Sequence, residues 1–514
     1  GNSIDADYGI SLQNTDNTVS GNNVTAEVEG VGLLTADNTF TGNVFTFNGT
    51  GLVLYGSASL SDLTASGNTV TVGTDADLQN AIALTGDGGT LTLLDGTYAL
   101  ASTLYVNQDI TLVGESEDGV ILTPTGNTGA YSTTGGDTSG WIFLESGSLS
   151  ISNLTMDGTG FAITQALRTK GALTVENVTI KNIEYSQYFG FGIGVYQPGS
   201  LDAKNVTMSN IARVGIHAKG DTAVDGFNYT GKGDITCLDY AMEIGTFNGS
   251  MTPFTVDVAN AVIADCLGVA DDSAKSGSAA LYVNTYFYQA DGGTTSLIDV
   301  NLDRITINNC SVGVYIGYYE KGEYSDTLLT NSNIINCETD IAYQGLAGTS
   351  TFTTSGNYFG GGAPNVECKY GNTIAGIEDY VTNPVAMSQD TDVTAVVDPT
   401  YMIIIPAAVD FGILTKGTGV QEMDFPVEAR DVVIENDYEI VVGVSSPFVM
   451  NDQNGAGPAS LGYKLYDSAP GLINDGDVFS SFEADRTETG EVTVNADDIV
   501  KAGSYKGTMD FAIS

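Results

Sequence analysis

The segment Leu173-Thr-Val-Glu-Asn-Val-Thr-Ile-Lys-Asn-Ile183 returns at Leu201-Asp-Ala-Lys-Asn-Val-Thr-Met-Ser-Asn-Ile211. A short internal repeat constrains a chain strongly, because each copy buries its apolar side only against the next copy. Looser copies run Leu149–Thr159, Val256–Cys266, Val300–Cys310 and Thr327–Cys337. The fifth residue of each marks the register: Asn153, Asn177, Asn205, Asn260, Arg304 and Asn331, at steps of 24, 28, 55, 44 and 27. The step of 55 reads as two turns, with a degenerate copy at Phe227–Cys237. The step of 44 reads as one turn carrying an insertion at Ala270–Gly277. A second short strand follows each copy: Ile193–Tyr196, Gly215–His217, Ala241–Glu243, Ala280–Tyr282 and Gly313–Tyr315. Short alternating strands separated by Asn, Gly and Asp turns predict a parallel β-solenoid. A helical repeat needs ten-residue stretches of 3.6 periodicity, and none is present.

Upstream, Thr74–Ile82 has the pattern of a short capped amphipathic helix, with Leu78 and Ile82 four apart. It leads into Gly89–Leu93, Gly96–Tyr98, Leu104–Val106 and Ile110–Gly114. This helix-then-strand series, with the Ser355-Gly-Asn-Tyr-Phe-Gly360 closing turn, resembles the right-handed parallel β-helix (pectate-lyase-like) superfamily over roughly residues 73–372. The resemblance implies an all-β fold, a right-handed parallel β-helix. That fold hosts lyases, hydrolases, tailspikes and adhesins alike. Residues 1–72 carry the same strand style before the helix and read as the last turns of an upstream β-helix. Residues 373–392 read as a connector. The clear strands after it are Val393–Val397, Tyr401–Ile405, Tyr438–Val444, Val492–Asn495 and Tyr505–Ile513, with Val432–Ile434 and Tyr463–Tyr466 as further ones. Residues 393–514 therefore predict an antiparallel, Ig-like β-sandwich. That segment, from Ile403–Gly412 to Gly503–Met509, resembles β-sandwich modules of Gram-positive cell-surface proteins.

The 514 residues carry 17 Lys plus Arg against 63 Asp plus Glu, a formal charge of −46. Such a chain is repelled by nucleic acid and by anionic membrane surfaces. No apolar run approaches the ~18 residues of a membrane-inserted helix. The first residues lack the n-region and h-region of an export signal, so any such signal is expected to have been removed already or to lie outside this sequence. The cations are unevenly placed. None precedes Arg168, and then Arg168, Lys170, Lys181, Lys204, Arg213 and Lys219 follow within 52 residues.

Five cysteines, with no C-x-x-C, argue for buried thiols. Cys237, Cys266, Cys310 and Cys337 take the repeat slot that holds Ile183 and Ile211, and Cys368 stands apart. A single histidine makes a structural zinc site implausible. The N-x-[ST] sequences at Asn153, Asn177, Asn205 and Asn228 are read as turn positions, the asparagine amide bonding the next turn's backbone, in preference to glycosylation sites. No phosphate-binding loop, zinc-protease helix or nucleophile elbow is present. Asp-rich turns at Asn474–Asp477 and Asp390–Asp392 suggest calcium, but neither has a full loop, and no cofactor or metal is expected.

Stacking the second strands puts Arg168, Tyr196, His217, Glu243, Tyr282 and Tyr315 in one outward row, with Lys170 and Lys219 two residues on and facing the same way. Tyr185, Tyr188, Tyr286, Tyr288, Tyr318 and Tyr319 fall in adjoining loops. Exposed tyrosines among polar groups suit sugar rings. Alternatively, Arg168, Lys170 or Lys219 neutralises a uronate while His217 or Tyr196 abstracts a proton. A third reading is that the row only stabilises its sheet through same-face pairs. The expected role is an extracellular adhesin or surface-fibre segment, presenting a Tyr-rich face to glycans or to surface proteins of a host or neighbouring cell, with self-association into fibres as a further option. The alternative is a polysaccharide lyase or glycoside hydrolase using His217, Glu243 and Lys219; Glu243 with Asp239 is the one nearby carboxylate pair that a hydrolase needs.

Overall fold

A computed structural model describes residues 1–127, 140–183, 190–232, 239–245, 252–267, 278–284, 298–317, 324–345, 350–386, 400–406, 408–434, 438–453, 459–469 and 471–513. The chain forms two units, Gly1–Gln389 and Asp390–Ser514. The first is a parallel β-solenoid of about 12 turns. The repeat copies pair as the sequence predicts: in Ala172–Ile183 and Ser200–Ile211, Leu173 lies opposite Leu201, Val178 opposite Val206 and Ile183 opposite Ile211.

The asparagines explain how one strand serves two faces. All six register markers have positive φ: Asn153, Asn177, Asn205, Asn260, Arg304 and Asn331 lie between 48° and 55°. Asparagine tolerates this left-handed backbone better than other residues with a Cβ. Each marker turns a corner, so the inward positions step from Val175 to Val178, three residues, where alternation alone gives two; Asn182 does the same between Ile180 and Ile183. The amide ladder differs from the one expected. Asn205 Nδ2 donates to Asn177 Oδ1 (3.2 Å) and Asn210 Nδ2 to Asn182 Oδ1 (2.7 Å), so side chain meets side chain here and backbone is not the partner. The expected side chain-to-backbone form appears in the first turns, where Asn43 Oδ1 accepts from the Asn22 N–H (3.0 Å). Because Asn205 sits at φ 52°, Asn205→Gly is expected to be nearly neutral, while Asn205→Ala costs about 1–2 kcal/mol, read from chemical unfolding midpoints.

The helix Leu78–Thr85 is present, capped by Asp77, whose carboxylate accepts from the Asn80 N–H. It does not begin a new solenoid. Thr69–Val72 before it and Gly89–Leu93 after it pair directly in parallel, so residues 1–72 and the later turns share one continuous sheet. The helix does cap one face, because the Gln79 amide closes both backbone groups of Tyr105, accepting from its N–H (2.9 Å) and donating to its C=O (3.0 Å). Tyr105 belongs to Leu104–Val106, the first strand of a ten-stranded parallel sheet. At the other end the solenoid runs past Asn372: Tyr380–Val381 pairs in parallel with Asn357–Tyr358, so the connector begins later than its polar composition suggests.

Two further corrections concern the repeat. Thr222–Asp225 pairs with both Ser200–Ile211 and Thr255–Ala259, which places the degenerate copy's corner at Gly226 (φ 75°), earlier than Phe227–Cys237. The proposed insertion 270–277 and Cys237 lie outside the described residues. Cys266, Cys310 and Cys337 form the expected thiol ladder, in register through Ser311 N–H to Cys266 O (3.0 Å) and Glu338 N–H to Cys310 O (3.1 Å). All three are free thiols, and burial pushes that of Cys266 up; Cys368 is free and exposed.

The second unit holds antiparallel sheets around one apolar cluster that includes Phe425, Val442, Leu461, Leu465 and Val494. Its longest strand, Val420–Val433, expected from the sequence only at its end, alternates Met423, Phe425, Val427 and Ala429 on the inner side with Glu422, Asp424, Pro426 and Glu428 on the outer; it pairs with Arg486–Asn495. Tyr505–Ile513 divides into Tyr505–Lys506 and Asp510–Ile513, in different sheets. Val393–Val397 lies outside the described residues.

Candidate functional site

The ten-stranded sheet carries the second strands of the repeat. Its hydrogen-bond register aligns Phe143, Arg168, Gly194, His217, Glu243, Tyr282, Tyr315 and Ala342 in one row on the outer face. Five of the six predicted residues are therefore in the row. Tyr196 is not. It pairs with Lys219 in a second row two residues on, because Gly194 takes the first-row place. Tyr196 still reaches the first row, since its ring and the Gln165 carboxamide fill the space a Gly194 side chain would need.

The row points outward but is not exposed, which corrects the expectation of a tyrosine platform. Arg168, His217, Glu243, Tyr282 and Tyr315 are all buried, and only Tyr196 is half-buried. Phe191, Val214, Tyr240, Ala279, Tyr282, Tyr315 and Ala342 build a second apolar cluster on this outer face. The tyrosines stack on one another, Tyr240 on Tyr282 at 4.9 Å and Tyr282 on Tyr315 at 5.1 Å, close to the strand spacing itself. The signal was in the sequence: Phe191, Val214, Tyr240 and Val312 precede the row, so these strands are apolar on both sides, as strands of a doubly covered parallel sheet are. Tyr185, Tyr188, Tyr286, Tyr288, Tyr318 and Tyr319 lie outside the described residues.

His217 and Glu243, on adjacent strands, meet through Nδ1 and Oε2 at 3.2 Å. Phe191 stacks on the imidazole at 5.0 Å. Burial draws the His217 pKa below its ordinary value, against the pull of Glu243. For Glu243, burial pushes upward, but the hydrogen bond from His217 and the charges of Arg213 and Lys219 outweigh it and hold the carboxyl below its usual range. The pair is thus read as a neutral imidazole donating Nδ1–H to a carboxylate, which fixes the ring tautomer.

Around it gather the cations. The Arg168 guanidinium lies 4.3 Å from the Tyr196 ring centroid and 5.3 Å from that of Phe143. Lys219 Nζ lies 5.4 Å from Tyr196, and Lys170 Nζ 5.7 Å from Phe143. Lys170 is exposed, and Tyr196 and Lys219 are half-buried. Of the six clustered cations only Lys181 and Lys204 go elsewhere, Lys181 to Asp157 (3.6 Å) and Lys204 opposite Glu176 on the neighbouring strand.

Other candidates come apart. Asp239 accepts from Tyr229 OH (2.6 Å) and the Lys232 N–H (2.9 Å), so Glu243 and Asp239 serve different partners and make no acid–base pair. In the Asn474–Asp477 turn, Asp477 binds Asn474 and Asp475 binds Ser445 and Ser446, so these carboxylates close the turn. No cluster of metal-ligating residues occurs among the described residues. Asp390 and Asp392 lie outside them.

No known family matches the chain, and no curated protein matches it. Among solved structures, it is similar to a mutant of the PL6 family alginate lyase AlyGC at 12% identity, over 68% of this chain and 70% of that one, with a TM-score of 0.39. The catalytic domain of a GH87 α-1,3-glucanase in complex with nigerose matches at 14% identity over 62% and 68%, TM-score 0.34. The ORF18 protein of Geobacillus virus E2 matches at 14% over 79% and 72%, TM-score 0.24.

Proposed function

We propose that the outer face of the ten-stranded sheet binds an anionic polysaccharide. Lys170, Tyr196 and Lys219 form the contact surface, with Arg168, Arg213 and the His217–Glu243 pair supporting them from beneath. The observation that carries this reading is the concentration of four of only 17 cations around Phe143, Tyr196 and His217, in a chain of net charge −46. A uronate carboxylate suits the lysines, and the sugar ring suits the tyrosine face. On this reading the protein acts outside the cell, as a surface segment presenting the face to glycans or to a partner protein and able to associate with itself end to end.

Retention on immobilised polygalacturonate or alginate, against a neutral glucan, tests it. Wild type is expected to prefer the acidic polymers, with affinity falling as salt rises. Lys170→Ala with Lys219→Ala is expected to weaken binding about tenfold. Equal retention on neutral and acidic polymers overturns the proposal.

Catalysis by β-elimination is a second reading, supported by the His217–Glu243 pair, which holds an imidazole in the neutral form a proton-abstracting base requires. The burial of His217 and the Phe191 ring stacked on it weigh toward binding. Unsaturated sugar products formed by wild type and lost in His217→Gln would establish elimination.

A further inference from the structure

Three consecutive turns carry a thiol at the same corner. Cys266, Cys310 and Cys337 each follow a residue with positive φ: Asp265 (61°), Asn309 (54°) and Asn336 (56°). The strands just before them, Val262–Ala264, Thr306–Asn308 and Asn333–Ile335, pair in register, so the thiols lie on adjacent rungs. Their rotamers match as well. Each Sγ approaches the carbonyl oxygen two residues earlier, that of Ala264 at 3.9 Å, Asn308 at 3.5 Å and Ile335 at 3.6 Å. Equal rotamers on paired strands keep successive sulfurs about one strand spacing apart, about 4.8 Å. Exposure rises along the ladder: Cys266 and Cys310 are buried, and Cys337 is half-buried.

That spacing decides between two kinds of thiol chemistry. A disulfide needs sulfurs about 2.05 Å apart on Cβ atoms about 3.5–4.5 Å apart, closer than rungs held by a backbone ladder. A metal ion bridging two thiolates in a line needs twice a metal–sulfur bond of about 2.3 Å, roughly 4.6 Å. The rungs match the second. We infer that Cys310 and Cys337 form a two-coordinate site for a soft monovalent metal ion of the Cu(I) class. Thiolate sulfur selects such ions, whereas the carboxylates that dominate this chain suit hard ones. No group of three donors suited to a metal occurs among the described residues, and linear coordination needs only two. Binding replaces two S–H bonds by two sulfur–metal bonds and releases both protons to solvent, leaving one net negative charge. That charge favours the pair ending at half-buried Cys337 over the fully buried pair Cys266 and Cys310. Burial pushes the Cys266 thiol up, and the neighbouring thiol does most to push up those of Cys310 and Cys337. The empty ladder is therefore protonated and a poor nucleophile.

Anaerobic titration of the whole chain with Cu(I), in competition with a chromophoric Cu(I) chelator, tests this. Wild type is expected to take one ion from the chelator. Cys310→Ser and Cys337→Ser are each expected to weaken it by more than the roughly hundredfold that loss of an outer-shell partner costs. Cys266→Ser and Cys368→Ser are expected to bind as wild type does. X-ray absorption of the loaded wild type needs no variant, so it decides even if a serine variant fails to fold. It is expected to show two sulfur neighbours and no nitrogen or oxygen. Failure of wild type to compete with the chelator overturns the site, and so does a third sulfur neighbour. Binding lost only in Cys368→Ser assigns the ion to the exposed thiol and overturns it too. A loss in Cys266→Ser equal to that in Cys337→Ser overturns the choice of pair.

Discussion

Replacing Glu243 by alanine is expected to destabilise the solenoid by about 3 kcal/mol, with Glu243→Gln recovering most of it. The carboxylate accepts the His217 Nδ1–H inside a fully buried site and offsets the charges of Arg213 and Lys219. Its loss leaves the buried His217 Nδ1–H without an acceptor, which is the costly way to break a buried polar pair. Glutamine retains the acceptor and the shape. The pH dependence carries the same signature. In the folded chain the His217 pKa is held below 6.5, chiefly by burial, so the unfolded chain binds this proton first as pH falls. The stability it confers is complete above 6.5 and declines as pH drops toward the folded pKa. Glu243 has the same sign in a lower window: burial opposes ionisation but is outweighed, and its contribution, present above 4.5, is lost as pH falls through the folded pKa. Denaturant midpoints against pH should therefore show a lower step in wild type that is missing in Glu243→Gln. Matching profiles for the two proteins would refute the assignment.

Asn68→Leu should be at least as damaging, about 4 kcal/mol in urea unfolding of the solenoid. The Asn68 side chain is wholly buried and uses its full capacity across three turns. Oδ1 accepts from the N–H and Nδ2 of Asn43 (2.8 and 3.0 Å), and Nδ2 donates to Phe40 O (3.1 Å) and Leu84 O (2.8 Å). Leucine fits the volume but strands all four partners, at about 1 kcal/mol or more each. Asn22, at the partly solvated end of the same ladder, should cost less than half as much when changed to alanine. An Asn68→Leu variant as stable as wild type would mean that water replaces these bonds.

The candidate site was half-legible in the sequence. His217, Glu243, Tyr282 and Tyr315 fall at one repeat position, so alignment alone brings them to one row. Tyr196 was misplaced because Gly194 holds the backbone position while the Tyr196 ring leans into the vacant space, a substitution in space that alignment does not display. Burial was the larger miss. Alternation distinguishes inside from outside of the solenoid, and it does not say whether the outside is wet.

By itself the sequence determined the solenoid and, outside the degenerate copy and Tyr196, its register and corners. Those depend on local patterns repeated at each turn: period-two apolar residues, and an asparagine at most of the left-handed corners, with Arg304, Asp265 and Gly226 at others. Tertiary structure decided the rest, namely that residues 1–72 continue into the later turns, that the tyrosines pack against each other, and that the few cations gather where they do. Such features depend on which side chains from different turns share space once strands lie about 4.8 Å apart, and no local pattern encodes that.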